Sequence, residues 1–275
     1  MNWKKALSAL AITTIPGALT YPTTNNLNTA TTNLAPREAA GIWQPAIGAT
    51  WQIVLKSPLT DLTADVDILD IDLFDNPKST IDTQHSHGRK RPDSKAFKGA
   101  DLGDKLDKWT GERWVDLRSR RIRAIMGRRL DLALSKGCDG IDPDNIDAYN
   151  NENEGLDLQE GDSVDFVNWL AGEAHARGLA IGLKNGRAII PAVMGEMQWS
   201  VNEQCAEYGE CEAYSAFVEG GKPVFHIEYP KGDLVNDEEP VGEDEKEMAC
   251  WSFEHAEMFS TLIKNMDLDH LKQEC

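Results

Sequence analysis

The stretch Gly137-Cys138-Asp139-Gly140-Ile141-Asp142-Pro143-Asp144-Asn145 decides the fold. Upstream of it, Ile122, Ile125, Met126, Leu130 and Ala133 recur at helical spacing from about Arg121 to Lys136, and Gly137 is the stop. Downstream, a second helix is predicted with Ser163 as N-cap, Phe166, Val167, Leu170 and Ala174 on its buried face, and an end at Gly178. Gly137 leads directly into a strand at Cys138, as Gly178 does at Leu179. Helices of this length cannot be hairpin turns, so the strands they connect run parallel.

The alternation continues in both directions. Strands are predicted at Trp51–Leu55, Asp67–Leu73, Arg113–Leu117, Cys138–Asp144, Leu179–Asn185, Gln198–Glu203 and Val224–Tyr229. Such repetition over roughly 230 residues implies an α/β fold, the closed (β/α)8 TIM barrel rather than an open doubly wound sheet. No glycine-rich phosphate loop follows any of these strands, which argues against a nucleotide site. One place breaks the rhythm. A helix with Pro77 in its first turn runs toward His87 and stops at Gly88, and the polar run Arg89-Lys90-Arg91-Pro92-Asp93-Ser94-Lys95 follows. No apolar run appears before Arg113, so one barrel strand is missing after Lys90. The acidic stretch Asp233–Glu247 reads as a solvated loop ahead of a last helix from Cys250 to about Leu271.

The chain of 275 residues carries 28 Lys and Arg against 46 Asp and Glu, a formal charge of −18. That excludes a nucleic-acid partner, which needs a basic footprint, and favours a cationic one. Residues 1–20 read as an export signal peptide: Lys4 and Lys5, the apolar run Ala6 to Ile15, then Pro16-Gly17 and small residues. The run is too short for a membrane span, so a secreted protein without a membrane partner is expected. Residues 21–40, rich in Thr, Asn and Pro, are expected to form a flexible segment ahead of a catalytic barrel over 41–275. No CxxC pair exists among the five cysteines, which argues against a structural zinc site. In an oxidising compartment Cys205 and Cys211 can close a small loop, and Cys250 and Cys275 can tie down the C-terminal helix, leaving Cys138 unpaired.

In a parallel barrel, catalytic groups gather where the strands end. The fourth predicted strand ends in Asp139, Asp142 and Asp144 with Asp147 close behind, a density of like charge that is costly unless used. Later strands end in Lys184-Asn185, Asn202-Glu203-Gln204-Cys205 and His226-Ile227-Glu228-Tyr229. Carboxylates and amides on one rim suit glycosidic cleavage, where one carboxylate attacks or steadies the anomeric carbon and another protonates the leaving oxygen. Trp43, Trp51, Trp199 and Trp251 offer faces for sugar stacking or for the core. The spacing of His85 and His87 is poor for helical metal ligands, and His175 reads as a helix-end residue complementing the dipole. No metal and no cofactor are called for.

These strings resemble glycoside hydrolase family 114, the endo-α-1,4-polygalactosaminidases and their relatives. The likeness rests on Trp43-Gln44-Pro45, Trp51-Gln52-Ile53, Asp67-Ile-Leu-Asp70-Ile-Asp72, Gly111-Glu112-Arg113-Trp114-Val115-Asp116, Cys138 to Asn145, Gly182-Leu183-Lys184-Asn185, Asn202-Glu203-Gln204-Cys205 and His226-Ile227-Glu228-Tyr229, in that order. The resemblance implies a secreted, monomeric barrel that endo-cleaves a cationic, partly deacetylated galactosamine polymer. It implies Asp144 as nucleophile and Glu203 as general acid/base. Asp139, Asp142, Lys184, Asn185, Glu228, Asp70, Asp72 and Asp116 become substrate-binding candidates. The chain also departs from the family pattern, because the family's Cys-Tyr-Phe-type strand and Gly-Ser-Tyr-type loop are missing between Lys90 and Arg91. That loss takes away a cysteine that would pair Cys138. Two other readings stay open: hydrolysis of another α-galactosidic bond, and an impaired variant that only binds sugar.

Overall fold

A computed structural model describes residues 9–14, 41–59, 66–76, 93–106, 112–150, 155–233 and 235–275. In chain order the elements are β1 (Ala9–Thr14), β2 (Trp51–Val54), β3 (Ile68–Asp72), β4 (Leu102–Lys105), β5 (Arg113–Val115), α1 (Arg120–Lys136), β6 (Gly140–Pro143), α2 (Glu160–His175), β7 (Ala180–Lys184), α3 (Ile190–Val193), β8 (Trp199–Glu203), α4 (Cys205–Tyr208), α5 (Glu212–Glu219), β9 (Val224–Glu228), α6 (Glu243–Trp251), β10 (Phe259–Ile263) and β11 (Gln273–Glu274). The fold is α/β. The order in the main sheet is β11-β10-β9-β8-β7-β6-β1-β3-β2, and β6 to β10 pair parallel throughout.

β2, at one end of the main sheet, approaches β10 near the other. The Trp51 indole donates to Ser260 O at 2.8 Å, Ser260 Oγ donates to Ala49 O at 2.8 Å, and the Leu55 amide donates to Leu268 O at 2.9 Å. Side chains on the enclosed side form one apolar cluster, with Trp51, Ile53, Ile68, Ala180, Trp199, Val201, Phe225, Ile227 and Tyr229. A larger cluster lies between strands and helices and takes in Ile141, Ile181, Leu183, Phe166, Leu170 and Phe217. The period of two assigns these sides: Ala180, Gly182 and Lys184 share one face of β7, and Trp199, Val201 and Glu203 share one face of β8. Gly182 is required where it stands, because a Cβ there would fall inside the Trp199 indole.

Five of the predicted strands appear within one residue of expectation at each end as β2, β3, β7, β8 and β9. The fourth predicted strand appears as β6, which starts two residues later, at Gly140. The helix before it is α1, with Ser119 as N-cap and Gly137 in the left-handed region at φ 88°. Other expectations are corrected. Arg113–Val115 forms a strand but pairs antiparallel with β4 in a separate two-stranded sheet, so it is not a strand of the main sheet. Ser163 lies inside α2, where its hydroxyl donates to Ile146 O at 2.5 Å, while the Gln159 amide is capped by Asp162 at 2.9 Å. The acidic stretch is not all loop. Glu243, Asp244 and Glu245 form the first turn of α6, where their charge complements the exposed amide end of the helix. No helix spans Cys250 to Leu271; α6 ends at Trp251, and Phe259–Ile263, with Thr261 and Ile263 β-branched, extends the parallel sheet beside β9.

The expected helix from Pro77 toward Gly88 lies outside the described residues. Between β3 and α1 no described residue supplies a parallel strand to the main sheet. The place between β3 and β6 is taken instead by β1, which runs antiparallel to both. Ala11 is opposite Ile71 on one side and Ile141 on the other. Antiparallel entry needs no crossover helix, and it covers two strand edges that would otherwise present bare amides and carbonyls.

Two disulfides, Cys205–Cys211 and Cys250–Cys275, match the expected pairings, and the Cys138 thiol is free and buried. The second bond ties the end of α6 to the strand edge at β11 rather than holding down a long helix. Among the described residues, no helix is long and apolar enough to cross a membrane.

Candidate active site

The enclosed faces of β6, β7 and β8 each end in a charged side chain. Asp144 follows the last residue of β6, while Lys184 and Glu203 close β7 and β8. Lys184 is fully buried, and its ammonium lies 3.2 Å from Asp144 Oδ2 and 3.5 Å from Glu203 Oε2. Burial alone would lower the Lys184 pKa, but Asp144 and then Glu203, Asp142 and Asp70 hold it above its ordinary value. One fixed cation therefore sits between two carboxylates on alternate strands.

Each carboxylate has further partners. The Asn145 amide donates to Asp144 Oδ1 at 2.9 Å, with Asn145 itself in the left-handed region at φ 57°. Asn185, at φ 54°, turns its carboxamide onto Glu203: its Nδ2 donates to Glu203 Oε2 at 3.0 Å, and its Oδ1 accepts from the Glu203 amide at 2.9 Å. Asn tolerates this conformation better than most residues, which ties the backbone turn to the side-chain contact. The Tyr229 hydroxyl donates to Glu203 Oε1 at 2.6 Å.

Asp70 on β3 and Asp142 on β6 are fully buried, and neither has a hydrogen-bond partner for either carboxylate oxygen among the described residues. Burial pushes Asp70 up to about 8, against the pull of Lys184 and with help from Asp144, Glu203 and Asp72. Burial and then the Asp70 charge raise Asp142 well above the ordinary carboxylate range. A buried acid with no donor to stabilise its charge holds its proton. The cluster thus sets two buried acids without hydrogen-bond partners among the described residues beside two carboxylates that share one buried ammonium.

The structure brings together Asp70, Asp142, Asp144, Lys184, Asn185 and Glu203. It places the other four candidates elsewhere. Asp139 precedes β6 and so lies at the opposite end of that strand from Asp144. Asp116 follows β5 in the small sheet and accepts from Arg118 Nε at 2.8 Å. Asp72 caps the turn after β3, accepting from the Phe74 and Asp75 amides at 2.8 Å and 3.0 Å. Glu228 is buried on β9, where its Oε1 accepts from the Ala206 amide and from His226 Nε2, both at 2.8 Å. Its parity explains the placement, since Phe225, Ile227 and Tyr229 take the enclosed face and Glu228 faces away.

Among the aromatic candidates, Trp51 and Trp199 belong to the core, Trp43 is half-buried with its ring 5.7 Å from Trp199, and Trp251 is exposed. His175 ends α2 and contacts Gln198 Oε1 at 3.2 Å, as its helix-end reading expects. His85 and His87 lie outside the described residues. Tyr229, not among the candidates from sequence, joins this cluster through Glu203, and it stands at the end of an inward-facing alternation, as Glu203 does.

Among solved structures, the chain is similar to Ega3 from Aspergillus fumigatus in complex with galactosamine. The identity is 50% and the TM-score 0.81, over 87% of this chain and 100% of that one. It shares its fold with the glycoside hydrolase domain of PelA from Pseudomonas aeruginosa at 13% identity and TM-score 0.57, over 81% of this chain and 98% of that one. No curated protein matches the chain. Residues 32–275 match glycoside-hydrolase family GH114, and with that match and 50% identity to the solved Ega3 chain over 87% of this one, the chain belongs to this family of glycoside hydrolases.

Proposed function

We propose that the protein is a secreted, monomeric hydrolase whose residues 41–275 form a (β/α)8-type barrel lacking one strand after Lys90, and that it endo-cleaves an α-1,4-linked galactosamine polymer. The observation that carries this reading is the Asp144–Lys184–Glu203 bridge at the ends of β6, β7 and β8. Asp144, paired with Lys184, attacks the anomeric carbon. Glu203 protonates the leaving glycosidic oxygen, then takes a proton from the water that releases the glycosyl enzyme.

Support for the substrate class comes from charge and from likeness. Amino groups on a deacetylated polymer are protonated near neutral pH, and a protein of net charge −18 draws them in from a distance. Asp70 and Asp142 add carboxyl oxygens without partners among the described residues to the same interior. Ega3, half identical to this chain, was solved with galactosamine. Two disulfides fit an oxidising compartment, and the leader-like residues 1–20 fit export.

The test is reducing-end release from deacetylated α-1,4-galactosaminan. Turnover is expected, falling by at least three orders of magnitude in Glu203→Gln and in Asp144→Asn. Full activity in either variant would remove that residue from its role. Cleavage of a neutral α-galactan in preference to galactosaminan would overturn the substrate assignment.

A further inference from the structure

Glu203 must hold a proton before the leaving oxygen takes it, and must then be stable as a carboxylate. The groups around it are unequal to that task. Lys184 Nζ and Asn185 Nδ2 both lie against Oε2, at 3.5 Å and 3.0 Å, and both can only donate. A proton placed on Oε2 would point into two donors. Tyr229 lies against Oε1, and a phenol hydroxyl can donate to an oxygen as it becomes negative or accept from one that is protonated.

We propose that Glu203 carries its catalytic proton on Oε1, and that Tyr229 is the positioning residue that stabilises the carboxylate formed when this proton leaves. The inference rests on Glu203 being the general acid/base. In the first step the Oε1–H bond breaks, the proton goes to the glycosidic oxygen, and the electron pair left on Oε1 accepts the Tyr229 hydroxyl hydrogen bond. In the second step Oε1 takes a proton from the attacking water, and that hydrogen bond weakens again. Tyr229 neither gains nor loses a proton overall.

The surroundings suit this role. Tyr229 is buried in the apolar cluster that also holds Trp51, Trp199, Phe225 and Ile227. Burial, followed by the charge of Glu203, keeps its hydroxyl protonated well above the ordinary range. Among the described residues, the other charged groups acting on this pair are Lys184 from β7, Asp144 and Asp142 from β6 and its following loop, Asp70 from β3 and, from the opposite face of β9, Glu228. None of them is altered by removing one phenol oxygen.

The experiment measures kcat/KM against pH on galactosaminan for the parent, Tyr229→Phe, and protein carrying 3-fluorotyrosine at position 229, with Glu203→Gln alongside. Loss of the donor raises the Glu203 pKa, so in Tyr229→Phe the basic limb is expected to move up by about one pH unit while kcat falls 10- to 100-fold. The fluorinated phenol is a stronger donor in the same shape and should move the limb down. A purely structural role would lower kcat and leave both limbs in place. If Tyr229→Phe fails to fold, the near-isosteric fluorotyrosine decides alone. A basic limb unmoved by fluorination overturns the inference. Full activity in Glu203→Gln would instead overturn the underlying assignment, whatever happens at Tyr229.

Discussion

The Lys184 ammonium lies 3.2 Å from Asp144 Oδ2, with both groups sealed from solvent. A buried charge pair gains little over an apolar pair, but breaking it by removing one partner leaves the other uncompensated. Here the loss is compounded, because Glu203, Asp142 and Asp70 also feel that cation. Lys184→Met is therefore expected to cost about 3–5 kcal/mol of stability and to lower turnover by more than two orders of magnitude. Urea unfolding and reducing-end assays on the same preparation check both effects.

The same ammonium constrains stereochemistry. Because Lys184 Nζ is 3.2 Å from one carboxylate oxygen and 3.5 Å from the other, those oxygens can be no further apart than the sum of the two. That limit, set on the two oxygens facing Lys184, admits the roughly 5–5.5 Å separation of retaining enzymes, the outcome that Asp144 as nucleophile requires. The first-formed reducing end is expected to keep the α configuration. Proton NMR of the anomeric signals in the first minutes of reaction shows it, and a β-anomer appearing first would exclude Asp144 as nucleophile.

Asp70 sets a pH dependence of stability whose sign follows from its raised pKa. Between the unfolded value of 3.8 and the folded value of about 8, the folded chain binds a proton that the unfolded chain has released. This contribution is full below pH 3.8 and is lost as pH rises toward 8. Asp70→Asn keeps the shape and cannot ionise, so it should gain on the parent by up to about 1.4 kcal/mol per pH unit across that window. Lys264, buried and lowered by that burial to about 7, acts oppositely above pH 7, so the comparison is cleanest from pH 4 to 7. Parallel stability curves for parent and variant would show that Asp70 ionises freely in the fold.

The alternation of strands and helices is legible because β7 and β9 are buried on both faces and read as mostly apolar runs that end in a charge, while β8 alternates Trp199, Val201 and Glu203 with Ser200 and Asn202. Asp144, Lys184 and Glu203 were legible for the same reason, since a charge that ends such a run sits at the rim. Parity was the information not used. It separates Glu203 and Tyr229, which face inward, from Glu228, which binds His226 and the Ala206 amide instead. Phe259–Ile263 was misread because its five residues have no glycine or proline boundary to set them apart from the helix before them. The antiparallel pairing of β1 could not be read at all, since nothing local in Ala9–Thr14 specifies partners at positions 68–72 and 140–143. That pairing is set by the two exposed edges that need it.

Ala9–Thr14 thus serves in the sheet while its sequence also reads as the apolar part of an export leader. If the pairing with β3 and β6 holds the sheet together, breaking it must cost stability even though the segment is remote in sequence. Proline at position 11 removes an amide from the middle of β1, between Ile71 and Ile141. In a central strand that loss costs about 3 kcal/mol, the scale of a proline in a regular element. In the 275-residue chain, Ala11→Pro is expected to lower the melting temperature by several degrees and to speed amide exchange in Ile68–Asp72 and Gly140–Pro143, while Ala18→Pro does neither. A chain beginning at Tyr21, the form left if residues 1–20 are removed on export, lacks β1 altogether and separates the two roles: it behaves like Ala11→Pro if β1 closes the sheet, and like the parent if the segment serves export alone. Equal stability and equal exchange protection in all four proteins would show that the slot between β3 and β6 is closed by something other than β1.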